Sequence, residues 1–344
     1  MRPSLSLDSE IVAANARAWS AFAGVPVRAV VKCDGYGWGQ EIVVRALDGI
    51  VESYCVADAD ELHALREFTA APAIVLGAVP SERLREVLAA NGQPSISNRA
   101  ELDVAAEWSR AESRPLRVRV GIRTAAAWNG LLLEELAQFA PQLAAAAAEI
   151  ELWTHLTDLS VADEQLALFD SALEILQRSG VTVSGSDLCS TLPAGSSIKR
   201  GTSVRIGAGL FGATGGAAIP GVRCAISMRA PVLRIERHSA GTRLGYGGTM
   251  LGMDSTVATL RSGFGDGLPS SLQATGDVLM VGMQYAAVLA GSLTGSDREF
   301  AWLDPSSDLD AFARSAGRPV HEIITTLGNC ARAGCVEKRF DAGT

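Results

Sequence analysis

Lysine is nearly absent from this 344-residue chain. Of its 30 basic residues only Lys32, Lys199 and Lys338 are lysines, so arginine supplies almost all the positive charge. The net charge is -8, which disfavours a nucleic-acid partner, because such binding rests on a basic face. The six cysteines form no Cys-x-x-Cys pair, and four histidines are too few and too scattered for a zinc site, so no metal is expected. Free thiols fit a reducing cytoplasm, the expected compartment. No charged stretch followed by an apolar one opens the chain, so no signal peptide is expected. Apolar runs are broken by Arg, Glu or Gly before they reach membrane-spanning length, so no membrane partner is expected either.

What is present is a large apolar fraction, 48% of residues, enough for a substantial core. The length exceeds what one core usually covers and predicts two domains. Short apolar strands are expected at 26–32, 53–58, 72–77, 93–97, 116–122, 149–156, 181–187 and 203–209. Amphipathic helices lie between them, for example 58–70, 80–90 and 163–178, the last with Asp163 as N-cap and Gly180 as its stop. Near-continuously apolar strands separated by helices mean a parallel sheet, and eight such units mean a closed (β/α)8 TIM barrel. After about residue 222 the texture changes to strands at 225–237, 242–251, 255–262, 277–291 and 299–303, with helices at 308–316 and 319–327. The expected organisation is therefore a barrel over 1–221 and a β-rich C-terminal domain over 222–344. The alanine run 144–148 reads as helix filler.

A barrel enzyme builds its site at the C-terminal ends of its strands, with phosphate groups held after strands 7 and 8. Those ends carry Lys32, His155, Ser190 and Arg205, the last followed by Gly207-Ala208-Gly209. Lys199 falls in a loop and Lys338 in a polar tail, whereas Lys32 ends the apolar run Val27-Arg28-Ala29-Val30-Val31, where no ammonium is expected. Beside a phosphate site, a lysine amine can form a Schiff base with an aldehyde cofactor. By spacing alone, Lys32 is equally well a lysine snorkelling off a strand end.

The surrounding residues narrow this choice. Ala29-Val30-Val31-Lys32-Cys33-Asp34-Gly35-Tyr36-Gly37-Trp38-Gly39 resembles the cofactor-lysine motif of alanine racemases, Ala-Val-Val-Lys followed by Tyr-Gly-His-Gly. Four further segments resemble the family in the same order. They are Thr154-His155, Val204-Arg205-Ile206-Gly207 running to Phe211-Gly212, Leu244-Gly245-Tyr246-Gly247-Gly248-Thr249, and Gly263-Phe264-Gly265-Asp266-Gly267.

The resemblance implies pyridoxal 5'-phosphate held by Lys32, which would then serve as base on one face of the substrate Cα. Tyr246 would be the opposite base, reaching the site from the partner subunit of a head-to-tail homodimer. Tyr36, Ser190 and the backbone at Gly207 and Ala208 would hold the phosphate. Arg205 would face the pyridine nitrogen without giving up its proton, and His155 would lie near the ring and tune Tyr246. Each has a plainer reading: Tyr36 as a loop aromatic, Arg205 paired with a carboxylate, Tyr246 as a turn residue, His155 as a core histidine.

Departures from the family gather around substrate binding. Trp128 stands where an arginine supports the cofactor hydroxyl and the substrate carboxylate; Arg119 or Arg123 are the candidates to replace it. Phe264 replaces a tyrosine at the entrance to the alanine site, Trp38 a histidine, Cys189 an asparagine, and Asn329 a phosphate-binding tyrosine. Met283 is kept, with a backbone N–H able to meet a carboxylate. These changes lead to the expectation of an amino-acid racemase or epimerase acting on something other than plain alanine. The competing readings are decarboxylation, elimination or substitution on the same scaffold, and a non-catalytic cofactor-binding paralogue.

Overall fold

Strands buried on both faces need helices over their outer side and one another's edges for their hydrogen bonds. In the computed structural model, which describes residues 2–125, 130–146, 149–156, 159–188, 201–245, 249–273, 275–293, 298–334 and 337–338, eight strands meet that demand by closing on themselves. They are Val27–Val30, Ser53–Val56, Ala73–Val75, Gly92–Gln93, Arg117–Gly121, Glu149–Trp153, Val183–Asp187 and Val204–Ile206. The first pairs with the second and with the eighth, always in parallel. Parallel bridges Ser95 to Arg119 and Asp187 to Ser203 join the remaining edges and complete the cylinder. Helices Gln40–Leu47, Ala59–Arg66, Leu84–Ala89, Arg99–Ala111, Leu133–Ala145 and Ala162–Arg178 cover it. Asp58 and Asn98 cap two of them by accepting from Glu61 N and Glu101 N.

The helix Ser9–Ala23 precedes the first barrel strand and packs against the last strand and the turn Ala208–Phe211. It is locked there by Asn15, whose amide donates to the carbonyls of Leu210 and Arg223, and by Trp19, which donates to Gly209. The helix expected from 163 starts at Ala162 with Val161 at its cap. Asp163 sits in the first turn, where its charge still meets the positive helix end. Gly180 ends it with φ 75°. Only Ala144 and Ala145 of the alanine run lie in a described helix; Ala147 and Ala148 fall outside the described residues.

The β-rich second domain is built on the long strand Ile226–His238. Its first half pairs with Glu299–Leu303 and its second half with Ser255–Leu260, followed by Ala286–Leu289 and Val278–Val281. Among the described residues of segment 242–251 the expected strand is reduced to one bridge, between Arg243 and Met250, and Gly245 has φ 60°. The first strand of the chain, Ser4–Leu7, lies in this second sheet, antiparallel to Ile226–His238. This pairing spans more than 200 residues and has no local signature. Helices Leu309–Ser315 and Val320–Arg332 return to the barrel. The second of these packs on its C-terminal mouth and thereby reaches the site.

Candidate active site at the C-terminal mouth of the barrel

Each mouth of the barrel holds a cavity. At the N-terminal mouth, about 400 Å³ is lined by charges already satisfied by one another: Arg28 pairs with Glu52 and with Glu151, both at 2.6 Å. At the C-terminal mouth, about 560 Å³ is lined by Lys32, Tyr36, His155, Arg205 and Gly207. That volume suits a small cofactor with its substrate. The structure therefore brings together, from three strand ends, five of the residues expected from the sequence. Ala208 follows Gly207 at the start of a buried turn.

Lys32 stands two residues beyond its strand and opens an unusual turn. Cys33, Asp34, Gly35 and Tyr36 all have left-handed φ, between 51° and 62°, and Gly37 continues at 82°. For the three non-glycine residues this conformation costs about 1–2 kcal/mol each, so neighbours must hold it. Glu61 accepts from the Cys33 N–H at 2.6 Å and from Ala57 N at 2.8 Å. Asp34 accepts from Gln40 N at 2.7 Å and pairs with Arg332. The helix Val320–Arg332 closes over the turn, where Trp38 donates to Ile324. A Cβ on Gly37 would stand 2.8 Å from the Thr325 carbonyl, so only glycine fits. The result fixes the backbone that carries Lys32.

Tyr36 is buried, and burial pushes its phenol well above the ordinary tyrosine range, keeping it a neutral donor. A Cβ on Gly207 would lie 2.0 Å from the Tyr36 hydroxyl, so the bare backbone of Gly207 is what admits that hydroxyl to this wall of the cavity.

Arg205 is held from behind. Its Nε pairs with Asp187 at 2.7 Å, and another of its nitrogens donates to the Thr154 carbonyl at 2.5 Å. Trp153 lies under both Arg205 and Arg119, at 5.1 and 5.5 Å from its ring. The plainer reading of Arg205, a carboxylate pair, is thus realised on one side of the guanidinium while the residue also lines the cavity.

His155 is tuned by the same surroundings. Burial first, then Arg205 and Lys32, lower its pKa from 6.5 to about 4. A histidine depressed in the folded state stabilises the protein above its unfolded value, and that contribution is lost as pH falls from about 6.5 through 4. In an imidazole NMR titration, His155 is expected to protonate near pH 4. A midpoint at 6.5 or above would show that it stands in water.

The structure does not bring Phe264 and Met283 to this cavity within one chain. They meet on the surface of the second domain, where Gly265 N donates to the Met283 carbonyl, and both side chains are exposed. Arg119 is not free to take the part of the arginine expected at position 128. It is fully buried in the barrel, paired with Asp187, because strand alternation turns it inward. Arg123 lines a separate cavity beside Glu101 and Glu135. Tyr246, Ser190 and Trp128 lie outside the described residues, as does Cys189. Among the lining residues that went unread in the sequence are the polar Thr124, His321 and Thr325. Thr124 follows the fifth strand in a segment read for its arginines. The other two sit on a helix assigned to the second domain, so only tertiary packing reveals them.

Residues 7–215 match the family described as alanine racemase, N-terminal domain, and residues 225–293 match alanine racemase, C-terminal domain. The alanine racemase of Acidiphilium cryptum is 31% identical, over 95% of this chain and 96% of its own. That of Dinoroseobacter shibae is 30% identical, over 94% and 95%. Among solved structures, alanine racemase from Acinetobacter baumannii superposes with a TM-score of 0.83 at 16% identity, covering 98% of this chain and 99% of that one. Alanine racemase from Bartonella henselae, solved with covalently bound pyridoxal phosphate, gives 0.81 at 21%, covering 99% of each.

Proposed function

Because this chain belongs to the alanine racemase family, we propose that it is a pyridoxal-phosphate-dependent amino-acid racemase in which Lys32 and Tyr246 move the Cα proton, and that its substrate is not plain alanine. The observation that carries the reading is the placement of Lys32, the rarest kind of cation in this chain, on a cavity shared with Arg205, His155, Tyr36 and Gly207. The residues fit the cofactor: a primary amine, a buried phenol facing bare backbone at the phosphate end, and an arginine anchored from behind.

When bound, pyridoxal phosphate is an electron sink that makes the α-proton of an amino acid removable. The protein's part is to place bases and fix protonation. Lys32 holds or takes a proton on one face of Cα and Tyr246, from the partner subunit of a head-to-tail homodimer, on the other; two faces are what inversion requires. Tyr36, Ser190, Gly207 and Ala208 hold the phosphate. Arg205, anchored on Asp187, would donate an N–H towards the pyridine nitrogen. His155 stays neutral at physiological pH and accepts or donates without adding charge. In such a dimer Phe264 and Met283, exposed in one chain, would approach the partner's cavity. The barrel and the β-rich domain divide near Gly221, and the cytoplasm is the working compartment.

Support for the substrate reading comes from the cations. Among the described residues lining the cavity, only Lys32 and Arg205 carry fixed positive charge, and Arg119 is committed to Asp187. A carboxylate clamp like the family's is not built from them, so a larger or modified amino acid is expected. Racemase assays over a panel of amino acids in deuterated solvent test this. The expected result is α-deuterium in both enantiomers of a substrate other than alanine, with Tyr246→Phe lowering the rate by about 10²–10⁴-fold and leaving cofactor absorbance unchanged. Fast, selective turnover of alanine would sink the substrate reading. Release of carbon dioxide, or loss of a β-substituent, would move the reaction to the competing class.

A further inference from the structure

The cavity beside Arg123 has no part in the function above, yet it abuts the active-site cavity. It holds about 290 Å³ and shares Leu76, Gly77 and Trp153 with its neighbour as common lining. Gly77 keeps this boundary bare, since a Cβ there would stand 2.6 Å from the Ala57 carbonyl. Trp153 is pinned in place. Its indole N–H donates to Ser95 at 3.1 Å, and Arg205 and Arg119 lie over its ring. Gly121 packs so closely on that ring that a Cβ would come within 2.7 Å of it. The smaller cavity is therefore a fixed chamber next to the larger one, with room for a side chain that the larger one does not hold.

Three charged side chains line this chamber, and no two of them pair. Glu101 accepts from Ser97 N and Glu135 from Leu132 N, both at 2.7 Å and both through Oε2. Each carboxylate thus holds the start of its own helix and, among the described residues, keeps Oε1 unused. Arg123 is exposed, and among the described residues its guanidinium meets no carboxylate. A guest ending in a carboxylate would face two glutamates here, and a guest ending in an ammonium would face Arg123. A carboxamide suits all three. Its carbonyl oxygen accepts from Arg123, and its two N–H groups donate to Glu101 and Glu135, each bond strengthened by the partner's charge. We propose that this chamber receives the substrate's side chain, and that the substrate is an amino acid whose side chain ends in a carboxamide. The inference rests on the racemase reading above and names the substrate class for it.

The test is a competition between side chains. The enzyme with its cofactor is given asparagine, glutamine, glutamate, lysine, methionine and alanine in deuterated solvent, and α-deuterium is read in both enantiomers. One of the two carboxamides is expected to exceed methionine in kcat/KM by about tenfold to a hundredfold, and glutamate and lysine by more. Arg123→Leu should cut the preference over methionine by about tenfold, with the loss in KM. Arg123→Glu should move the preference to lysine, because three carboxylates then face the side chain. Both variants keep the backbone bond from Arg123 N to Leu131. A wild-type preference for any other side chain, or ratios unmoved by either substitution, overturns the proposal while leaving the racemase in place. Exchange at Cα of no amino acid in the set overturns the racemase reading and the inference with it.

Discussion

Lys32→Ala is expected to leave a folded protein with no visible cofactor absorbance and with racemisation lowered by about 10⁴-fold, the upper end of what one positioned base contributes. On the proposed function two roles would leave together: the amine that holds the cofactor and the base on one face of Cα. Folding should be nearly untouched, because Lys32 is only half-buried and its left-handed turn is held by backbone bonds to Glu61 and Asp34, not by the ammonium. A change within about 0.5 kcal/mol is the ordinary outcome for such a position. Lys32→Arg sharpens the test. It restores the charge without a nucleophilic amine, so it should be as inactive as alanine. Activity within tenfold of wild type in either variant would remove Lys32 from the chemistry. Equal loss of stability and activity would make it structural.

The placement of Lys32 on the cavity was legible in the sequence because lysine is rare here and because an ammonium at the end of Val27–Val31 contradicts its surroundings. The barrel was legible for a related reason: strands such as Ser53–Val56 and Ala73–Val75 are buried at every position, so they read as uninterrupted apolar runs. What stayed hidden depends on residues far apart. Ser4–Leu7 looks like any alternating start, and its partner is Ile226–His238. The left-handed turn is carried partly by Cys33 and Tyr36, which have no intrinsic preference for it, and its supports come from Glu61 and Arg332. Arg119 looked free to meet a carboxylate, since sequence does not show what shares the barrel interior with it. His321 read as one of a few scattered histidines until its helix was placed over the mouth of the barrel.

That barrel interior carries the largest stability effect expected of a single substitution. Arg119 and Asp187 are fully buried, and Arg28 and Arg205 nearly so. Asp187 touches all three arginines: Arg119 directly, Arg205 at 2.7 Å and Arg28 at 3.3 Å. Glu151 and Glu52 share only part of this charge, being partly exposed. Burial already lowers the Arg119 pKa, and Asp187 is the main group opposing that. Replacing Asp187 with leucine leaves buried guanidinium charges without their shared carboxylate, so a loss of about 3–5 kcal/mol is expected, read as a lower urea midpoint at unchanged slope. The double variant Asp187→Leu with Arg119→Met should recover part of it, because an apolar pair of similar size costs far less than one orphaned charge. Asp187→Asn should fall between, keeping shape and a hydrogen bond without the charge. Asp187→Leu also reaches the site: once Arg205 loses its anchor at Nε, the donor proposed for the pyridine nitrogen would no longer be held, and the cofactor absorbance should shift even where the protein remains folded. A loss below about 1 kcal/mol would mean that the arginines find other partners, and that Asp187 neither stabilises the barrel nor positions Arg205.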